Sequence, residues 1–361
     1  MSNTVDGRRR GRLAALAAIL ATLLTLGISA AAGNHEDPAN LSRAFPNVVE
    51  PHGTALSPSR LSQSSITWLG GATTASTGER LVVFVSASLP PDTGSPQTWA
   101  DFLAQLVHGQ ELTALTSYIA TPSETEQLCG PRALGCYWSN RMVSIGTSAY
   151  GISADEVVRH EYGHHIAFHR LNPPWLAIAW GPKHWASDQD ICRRAAQGTV
   201  FPGDEGAHYR LNPGEAWAET YRVLDEQRSG ATGSGWSLVD PSFVPGATTL
   251  AAAEKDVLEP WADNTTTVLR NRFTDARRKP WVIRLDVPLD GLLQVTVSLP
   301  KGGLQEVALL SSDRKTVLAR ALWAGSTVKR ISTSVCGVRT LYVRVSHRGA
   351  LGRVAVVVYR P

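Results

Sequence analysis

The stretch His160-Glu161-Tyr162-Gly163-His164 constrains this chain more than any other. Histidines four apart on a helix lie on one face, one above the other, so both imidazoles reach a single ion. The glutamate after the first histidine sits beside that ion, where it can take a proton from a water. The stretch therefore demands a helix. It also demands a second element to bring a third ligand, because a hydrolytic zinc site uses three protein ligands and leaves one position for water.

The flanking residues predict that helix. Ser153 is placed to be its N-cap and Glu156 to complete a capping box. Val157 and Val158 lead in, Ile166 and Phe168 carry the apolar pattern on, and Pro173-Pro174 end it. Gly163 is costly in mid-helix. A close approach of neighbouring backbone or of metal-site residues would account for it, and plain tolerance is the alternative.

Three local candidates for the third ligand fail on geometry. Arg170 stands where an H-E-x-x-H-x-x-G-x-x-H pattern would put its third histidine. His165 points about 100° away from His164 around the helix. His169 is about 13 Å along the axis from His160. His165 and His169 make a second pair four apart, but Ile166 stands where the glutamate should be, so they are expected to be exposed or structural. The better candidate lies downstream, in Asn212-Pro213-Gly214-Glu215-Ala216-Trp217-Ala218-Glu219. Asn212 and Pro213 predict a helix start, and the helix should run to about Gln227 and stop by Gly230. Glu215 is expected to be the third ligand. Glu219, four residues later on the same face, is expected to hold the other nitrogen of His160. Exchanged roles remain open, and Glu215 alone also reads as a capping-box residue three after Asn212.

The remaining chain reads in order. Leu81 to Val85 predicts a buried strand, Pro96 to Val107 a helix, and Leu112 to Ala120 and Tyr137 to Ile145 two further strands. Residues 230–250 form a Gly/Ser/Pro loop, and Leu250 to Leu258 a helix ended by Pro260. From Trp281 the pattern alternates with period two, with further strands near 305–312, 316–322, 328–334, 340–346 and 353–359. About seven short strands predict an antiparallel β-sandwich. The fold class is thus α+β: a catalytic domain with a small sheet and active-site helices over 65–249, a connector over 250–276 and a sandwich over 277–361.

These residues resemble a known class. His160-Glu161-x-x-His164 with Glu215-x-x-Ala218-Glu219 is similar to the gluzincin metallopeptidases, the zincin-like group that contains thermolysin, although thermolysin itself has aspartate at the position matching Glu219. Glu-x-x-Ala-Glu with a tyrosine shortly upstream also resembles the catalytic domain of anthrax lethal factor. The likeness covers two helices and, more loosely, residues 65–230. Val335-Cys336-Gly337-Val338-Arg339-Thr340-Leu341-Tyr342-Val343 resembles the pre-peptidase C-terminal β-sandwich attached to secreted bacterial proteases. The resemblance implies a zinc endopeptidase acting on polypeptides. It also implies that substrate adds as a strand at a sheet edge, with Tyr137 to Ile145 as the candidate edge and a plain internal hairpin as the alternative.

One Zn2+ per chain is expected on His160, His164 and Glu215, with Glu161 as general base. A second donor for the oxyanion is sought in Tyr209, then His208, with Tyr150 a weaker option. Two other functions fit the same residues: a cell-surface binding or adhesion protein with a structural or inactive zinc domain, and a zinc amidase acting on cell-wall material. The intact Glu161 argues against the first, because a purely structural ion does not need it.

The first thirty-two residues predict export. Arg8, Arg9, Arg10 and Arg12 precede an uncharged run from Leu13 to Ala32, which reads as a cleaved signal peptide or an uncleaved N-terminal anchor. The protein is then secreted or held at the outer face of the cytoplasmic membrane, with that anchor as its only membrane contact. Residues 33–64 read as a linker. Without the first thirty-two residues, 35 − 4 basic and 31 − 1 acidic side chains leave a net charge of +1, so nothing suggests a nucleic-acid footprint and no nucleic-acid partner is expected. Four cysteines in an exported chain predict two disulfides. Cys129 and Cys136 enclose a short loop and are expected to pair, which leaves Cys192 for Cys336, although four cysteines allow three connectivities.

Overall fold

The computed structural model describes residue 61 and residues 64–361, apart from 275–278, 302–303, 323–326 and 349–350. The expected signal or anchor over 1–32 and nearly all of the expected linker over 33–64 lie outside the described residues. Among the described residues, no helix is long and apolar enough to cross a membrane.

The chain is α+β, and its first half is built on a five-stranded mixed sheet. Strands β1 (Trp68–Thr74), β2 (Arg80–Ser86), β3 (Thr116–Ala120), β4 (Gly135–Trp138) and β5 (Arg141–Ile145) lie in the order β1-β2-β3-β5-β4. β2, β3 and β5 run parallel; β1 and β4 are antiparallel to their neighbours. Helix α1 (Pro96–Gln105) opens with a Ser95/Thr98 capping box and packs Trp99 and Leu103 into the core. It ends two residues short of its expected limit.

Three expectations need correction here. The strand expected over Leu112 to Ala120 begins only at Thr116, because Gln110–Ala114 forms a 3-10 turn. Glu111 is buried there, and its carboxylate accepts from Gly109 N, Tyr162 Oη and Arg170 Nη2 at 2.7, 3.1 and 2.8 Å, so the backbone must coil. The single strand expected over Tyr137 to Ile145 is a hairpin. It turns at Ser139 and Asn140, both with positive φ (42° and 68°), as a two-residue hairpin turn requires. A helix was also missed. α2 (Pro122–Cys129) carries a Thr121/Glu124 capping box and proline at its first position, both of which were visible in the sequence.

Helix α3 (Ala154–Phe168) follows the sheet. The short helices α4 (Ala177–Trp180), α5 (Lys183–Asp188) and α6 (Ile191–Ala196) fill the Trp- and Pro-rich stretch. Helix α7 (Pro213–Ser229) lies against α3, and α8 (Ala247–Leu258) closes the layer. The expected connector over 250–276 divides between the two halves. Ala253 and Val257 of α8 belong to the first core, and Asp256 accepts from His184 N and Trp185 N at 3.1 and 2.8 Å. The strand β6 (Thr265–Phe273) pairs with the last strand of the chain.

The second half therefore starts at Thr265 rather than 277, and its described residues form eight strands rather than about seven. They are β6, β7 (Trp281–Asp286), β8 (Gly291–Ser298), β9 (Leu304–Leu310), β10 (Val317–Leu322), β11 (Val328–Val335), β12 (Thr340–Arg348) and β13 (Gly352–Arg360). They form two four-stranded antiparallel sheets, β10-β9-β12-β7 and β11-β8-β13-β6. Alternate residues such as Leu293, Val295, Val297, Val343, Val345 and Val356 fill one apolar core between them, the arrangement of a β-sandwich.

Both expected disulfides form, Cys129–Cys136 within the first half and Cys192–Cys336 between the halves. The second bridge stands beside a polar seam. Lys183 Nζ donates to Pro173 O and Asp290 O at 2.7 and 2.8 Å, and Arg339 Nη1 donates to Asp290 Oδ1 at 2.6 Å.

Candidate metal centre

Helix α3 begins as its sequence requires. Ser153 Oγ accepts from Glu156 N at 3.2 Å, and the Glu156 carboxylate accepts from Ser153 N at 2.9 Å. Helix α7 starts at Asn212, whose Oδ1 accepts from Gly214 N at 3.0 Å, and it ends on Gly230 in the left-handed conformation. Glu215 does not close a capping box on Asn212; its carboxylate turns towards α3.

The two helices approach closely at Gly163. A Cβ there would stand 2.8 Å from Ala218 Cα and 3.1 Å from its carbonyl oxygen. The Trp217 indole donates to Gly163 O at 2.8 Å. Gly163 is thus explained by backbone approach, and that approach brings the acidic face of α7 to the histidine face of α3.

His160, His164 and Glu215 converge, with one ligand atom from each inside a 4.8 Å span. His160 Nε2 lies 3.3 Å from His164 Nε2 and 3.3 Å from Glu215 Oε2, and His164 Nε2 lies 3.5 Å from Glu215 Oε1. Donors held at zinc–nitrogen and zinc–oxygen distances of a tetrahedron lie roughly 3.4 Å apart. The spacing and the two-imidazole, one-carboxylate donor set therefore fit a zinc ion. All three side chains are buried.

Glu219 lies behind His160, with Oε2 3.3 Å from Nδ1. The two carboxylates flank the ring from opposite nitrogens. Burial pushes the His160 pKa down, but Glu215 and Glu219 outweigh it and raise it to about 9. Burial pushes both glutamates up. For Glu215 the His164 charge and the His160 hydrogen bond win, and for Glu219 the hydrogen bonds of His160 and Arg222 win, so both sit below the usual carboxylate range.

Glu161 is fully buried, on the side of α3 that meets β4. A Cβ on Gly135 would lie 2.3 Å from its Oε1 and 2.8 Å from its Cγ and Cδ. Only glycine at 135 lets the edge strand pass this close. Cys136, next in the strand, is tied by its disulfide to the end of α2.

The oxyanion candidates scatter. Tyr209 is buried, and its hydroxyl donates to Glu215 Oε2 at 2.7 Å, so in this arrangement it braces the expected ligand. His208 is exposed, stacked on Phe201, with Nδ1 2.7 Å from Asp204 Oδ2. Tyr150 is exposed and its hydroxyl faces Glu126. The second histidine pair lies outside the cluster. Buried His165 donates through Nε2 to Glu111 O at 2.8 Å and accepts at Nδ1 from Tyr137 Oη at 3.1 Å, a structural role, and burial lowers its pKa to about 4. His169 is exposed, 2.6 Å from Asn140 Oδ1. Arg170 binds Glu111 and the Asp256 and Val257 carbonyls at the end of α8.

Two residues of the cluster escaped the sequence. Arg222 grips Glu219 from α7; its spacing of three from Glu219 and four from Glu226 was the available signal. Glu205 lies in an irregular loop with no periodic signal. Its Oε1 accepts from Asn212 Nδ2 at 2.8 Å. Burial, and then the Glu215 charge, raise its pKa to about 8.

No protein-family model matches this chain, and no curated protein matches it. Among solved structures, the pre-peptidase C-terminal domain of a collagenase from Bacillus anthracis is 12% identical with a TM-score of 0.22, over 26% of this chain and 88% of that one. The SPBc2 prophage-derived protein YomS is 13% identical with a TM-score of 0.18, over 27% and 98%. The capsular polysaccharide assembling protein CapF from Staphylococcus aureus is 9% identical with a TM-score of 0.18, over 48% and 50%. Likenesses this slight say nothing about activity.

Proposed function

We propose that this chain is a zinc-dependent endopeptidase. The observation that carries the reading is the convergence of three buried donors: His160 Nε2 lies 3.3 Å from His164 Nε2 and from Glu215 Oε2, and His164 Nε2 lies 3.5 Å from the other Glu215 oxygen, a spacing that suits one zinc ion. His160, His164 and Glu215 would hold the ion. When bound, zinc supplies Lewis acidity to a carbonyl and brings the pKa of water towards neutrality.

Glu161 accepts a proton from the attacking water and returns it to the departing amine nitrogen. Its place against Gly135 supports this role, because the close strand holds the carboxylate in one position. Glu219 holds Nδ1 of His160, which leaves Nε2 for the ion. Among the described residues β4 pairs with β5 alone, and the other edge of β4, beside Glu161, is the place we propose for an extended peptide. Arg141–Ile145, also considered as that edge, lies inside the sheet between β3 and β4. Both disulfides suit an oxidising compartment, in keeping with export.

The test is a metal and activity pair. Purified protein should hold about one zinc per chain and cleave casein or a peptide library. Glu161→Gln should keep the zinc and lose about 10²–10⁴-fold in rate. A folded wild-type protein that takes up no zinc, or a Glu161→Gln variant that cleaves normally, would refute the assignment.

A further inference from the structure

Arg222 stands one turn along α7 from Glu219 and is itself buried. Its Nη2 donates to Glu219 Oε1 at 2.7 Å, and its Nε donates to Oε2 at 3.0 Å. This is a two-pronged grip, the geometry in which a guanidinium fixes the plane of a carboxylate. Oε2 is also the atom that faces His160 Nδ1 at 3.3 Å. One oxygen is therefore shared between the guanidinium and the imidazole.

The guanidinium is anchored in turn. Nη1 donates to both oxygens of Glu226 at 2.6 Å, and Nη2 donates to Gly235 O at 2.8 Å. The loop over this anchor approaches so closely that a Cβ on Gly233 would lie 2.4 Å from Glu226 Oε2 and 2.5 Å from Arg222 Nη1. The chain Glu226–Arg222–Glu219–His160 thus runs unbroken from the end of α7 to the converging histidines.

We propose that Arg222 is a positioning residue of the metal centre, acting through Glu219 to set the orientation and donor strength of the His160 ring. Two effects follow from its grip. The fork stops the Glu219 carboxylate from rotating, so Nδ1–H of His160 has one direction to point and Nε2 is aimed at the ion. The guanidinium charge also draws on Oε2, so Glu219 holds the Nδ1 proton without removing it. Without the Arg222 fork, Glu219 loses the two hydrogen bonds that fix its plane, so its carboxylate is free to turn away from His160 Nδ1. This inference rests on the zinc reading.

The experiment is a double-mutant cycle read in zinc affinity, by competition with a chelator, on the full protein. Arg222→Met should weaken zinc binding by about 10–100-fold, the range seen when partners of metal-bound histidines are lost. Arg222→Lys keeps the charge but not the fork, and should fall between Arg222→Met and wild type. In a Glu219→Gln background, Arg222→Met should weaken binding no further. A purely structural arginine would weaken binding equally in both backgrounds, and that result overturns the proposal. So does a folded Arg222→Met protein that binds zinc as wild type does. If Arg222→Met does not fold, Arg222→Lys takes its place in the cycle with the same two outcomes. Wild-type protein that binds no zinc would bring down the metal reading and this inference with it. Wild type that binds zinc while Arg222 proves indifferent brings down this inference alone.

Discussion

The two halves of the molecule both have apolar cores but differ in how much charge they bury. Between α3 and α7 the buried side chains include His160, His164, Glu215, Glu219 and Arg222, with Arg159 bonded to Asp225 at 2.7 Å nearby. The sandwich also buries Asp290, Lys329 and His347, but they are scattered around a core of apolar residues from Phe273 to Val358. Charge removed from water costs several kcal/mol per ion unless it is paired and hydrogen-bonded, and a hydrophobic replacement is often as stable or more so. The helix pair therefore concentrates buried charge that folding alone does not require, whereas the sandwich is built mainly around apolar residues. The contrast is the reason to look for function in the first half, and it makes separate predictions for each.

The largest effect is expected at the ligand. Glu215→Ala removes one of three donors and should abolish stoichiometric zinc in the purified protein, whereas Glu219→Ala should cost about 10–100-fold in affinity. Metal analysis after dialysis against a weak chelator separates the two. If Glu219→Ala proves the more damaging, the glutamates exchange roles and the present assignment of ligand and support is wrong.

A sandwich variant should behave in the reverse sense. Leu293 is wholly buried, and Leu293→Ala should destabilise the protein by about 2–5 kcal/mol. Zinc affinity of the folded fraction should stay at the wild-type level. Equilibrium urea unfolding with a parallel zinc titration decides this. A large change in zinc affinity would mean that the interdomain seam at Lys183, Asp290 and Arg339 transmits strain to the metal centre, and the halves would no longer be separable.

Gly163→Ala tests the join between the two chemistries. Its new methyl meets Ala218 Cα at 2.8 Å, so α3 and α7 must part. An overpacked contact costs about 1–3 kcal/mol. Unlike Leu293→Ala, it should also weaken zinc, because the parted helices carry the ligands. Destabilisation with unchanged zinc affinity would show that the site tolerates a shift of α7 relative to α3.

Much of this contrast was legible in the sequence. The capping residues Ser153 and Asn212, the period-two alternation from Leu293 onward and the spacing of the two histidines each express a local rule, and each appears where expected. Glu215 and Glu219 could be placed on one helix face from spacing alone. What escaped depends on long-range contact. Glu111 coils the backbone ahead of β3 by binding Arg170, fifty-nine residues away. Helix α8 belongs to the first half because Asp256 caps α5, which no local pattern reveals. Arg222 and Glu205 act through partners whose positions follow from the packing of α3 on α7 and from the loop before it.

The smallest predicted effect concerns Glu156, at the edge of the charged interior. Burial raises its pKa, but hydrogen bonds from Ser234 and Ser153 outweigh that and lower it to about 2 from an ordinary value of 4.5. A carboxylate depressed on folding contributes stability above its unfolded pKa and loses it as pH falls through the folded value. The contribution is therefore complete above about pH 4.5 and lost progressively down to about pH 2. Glu156→Gln should flatten the decline of the unfolding temperature across that interval without abolishing it, since Glu215 and Glu219 are depressed as well. The comparison belongs in metal-free protein, where zinc release cannot mimic the slope. Identical acid profiles for the two proteins would show that Glu156 contributes nothing, leaving the acid sensitivity of the first half to other depressed carboxylates such as Glu111, Glu215 and Glu219.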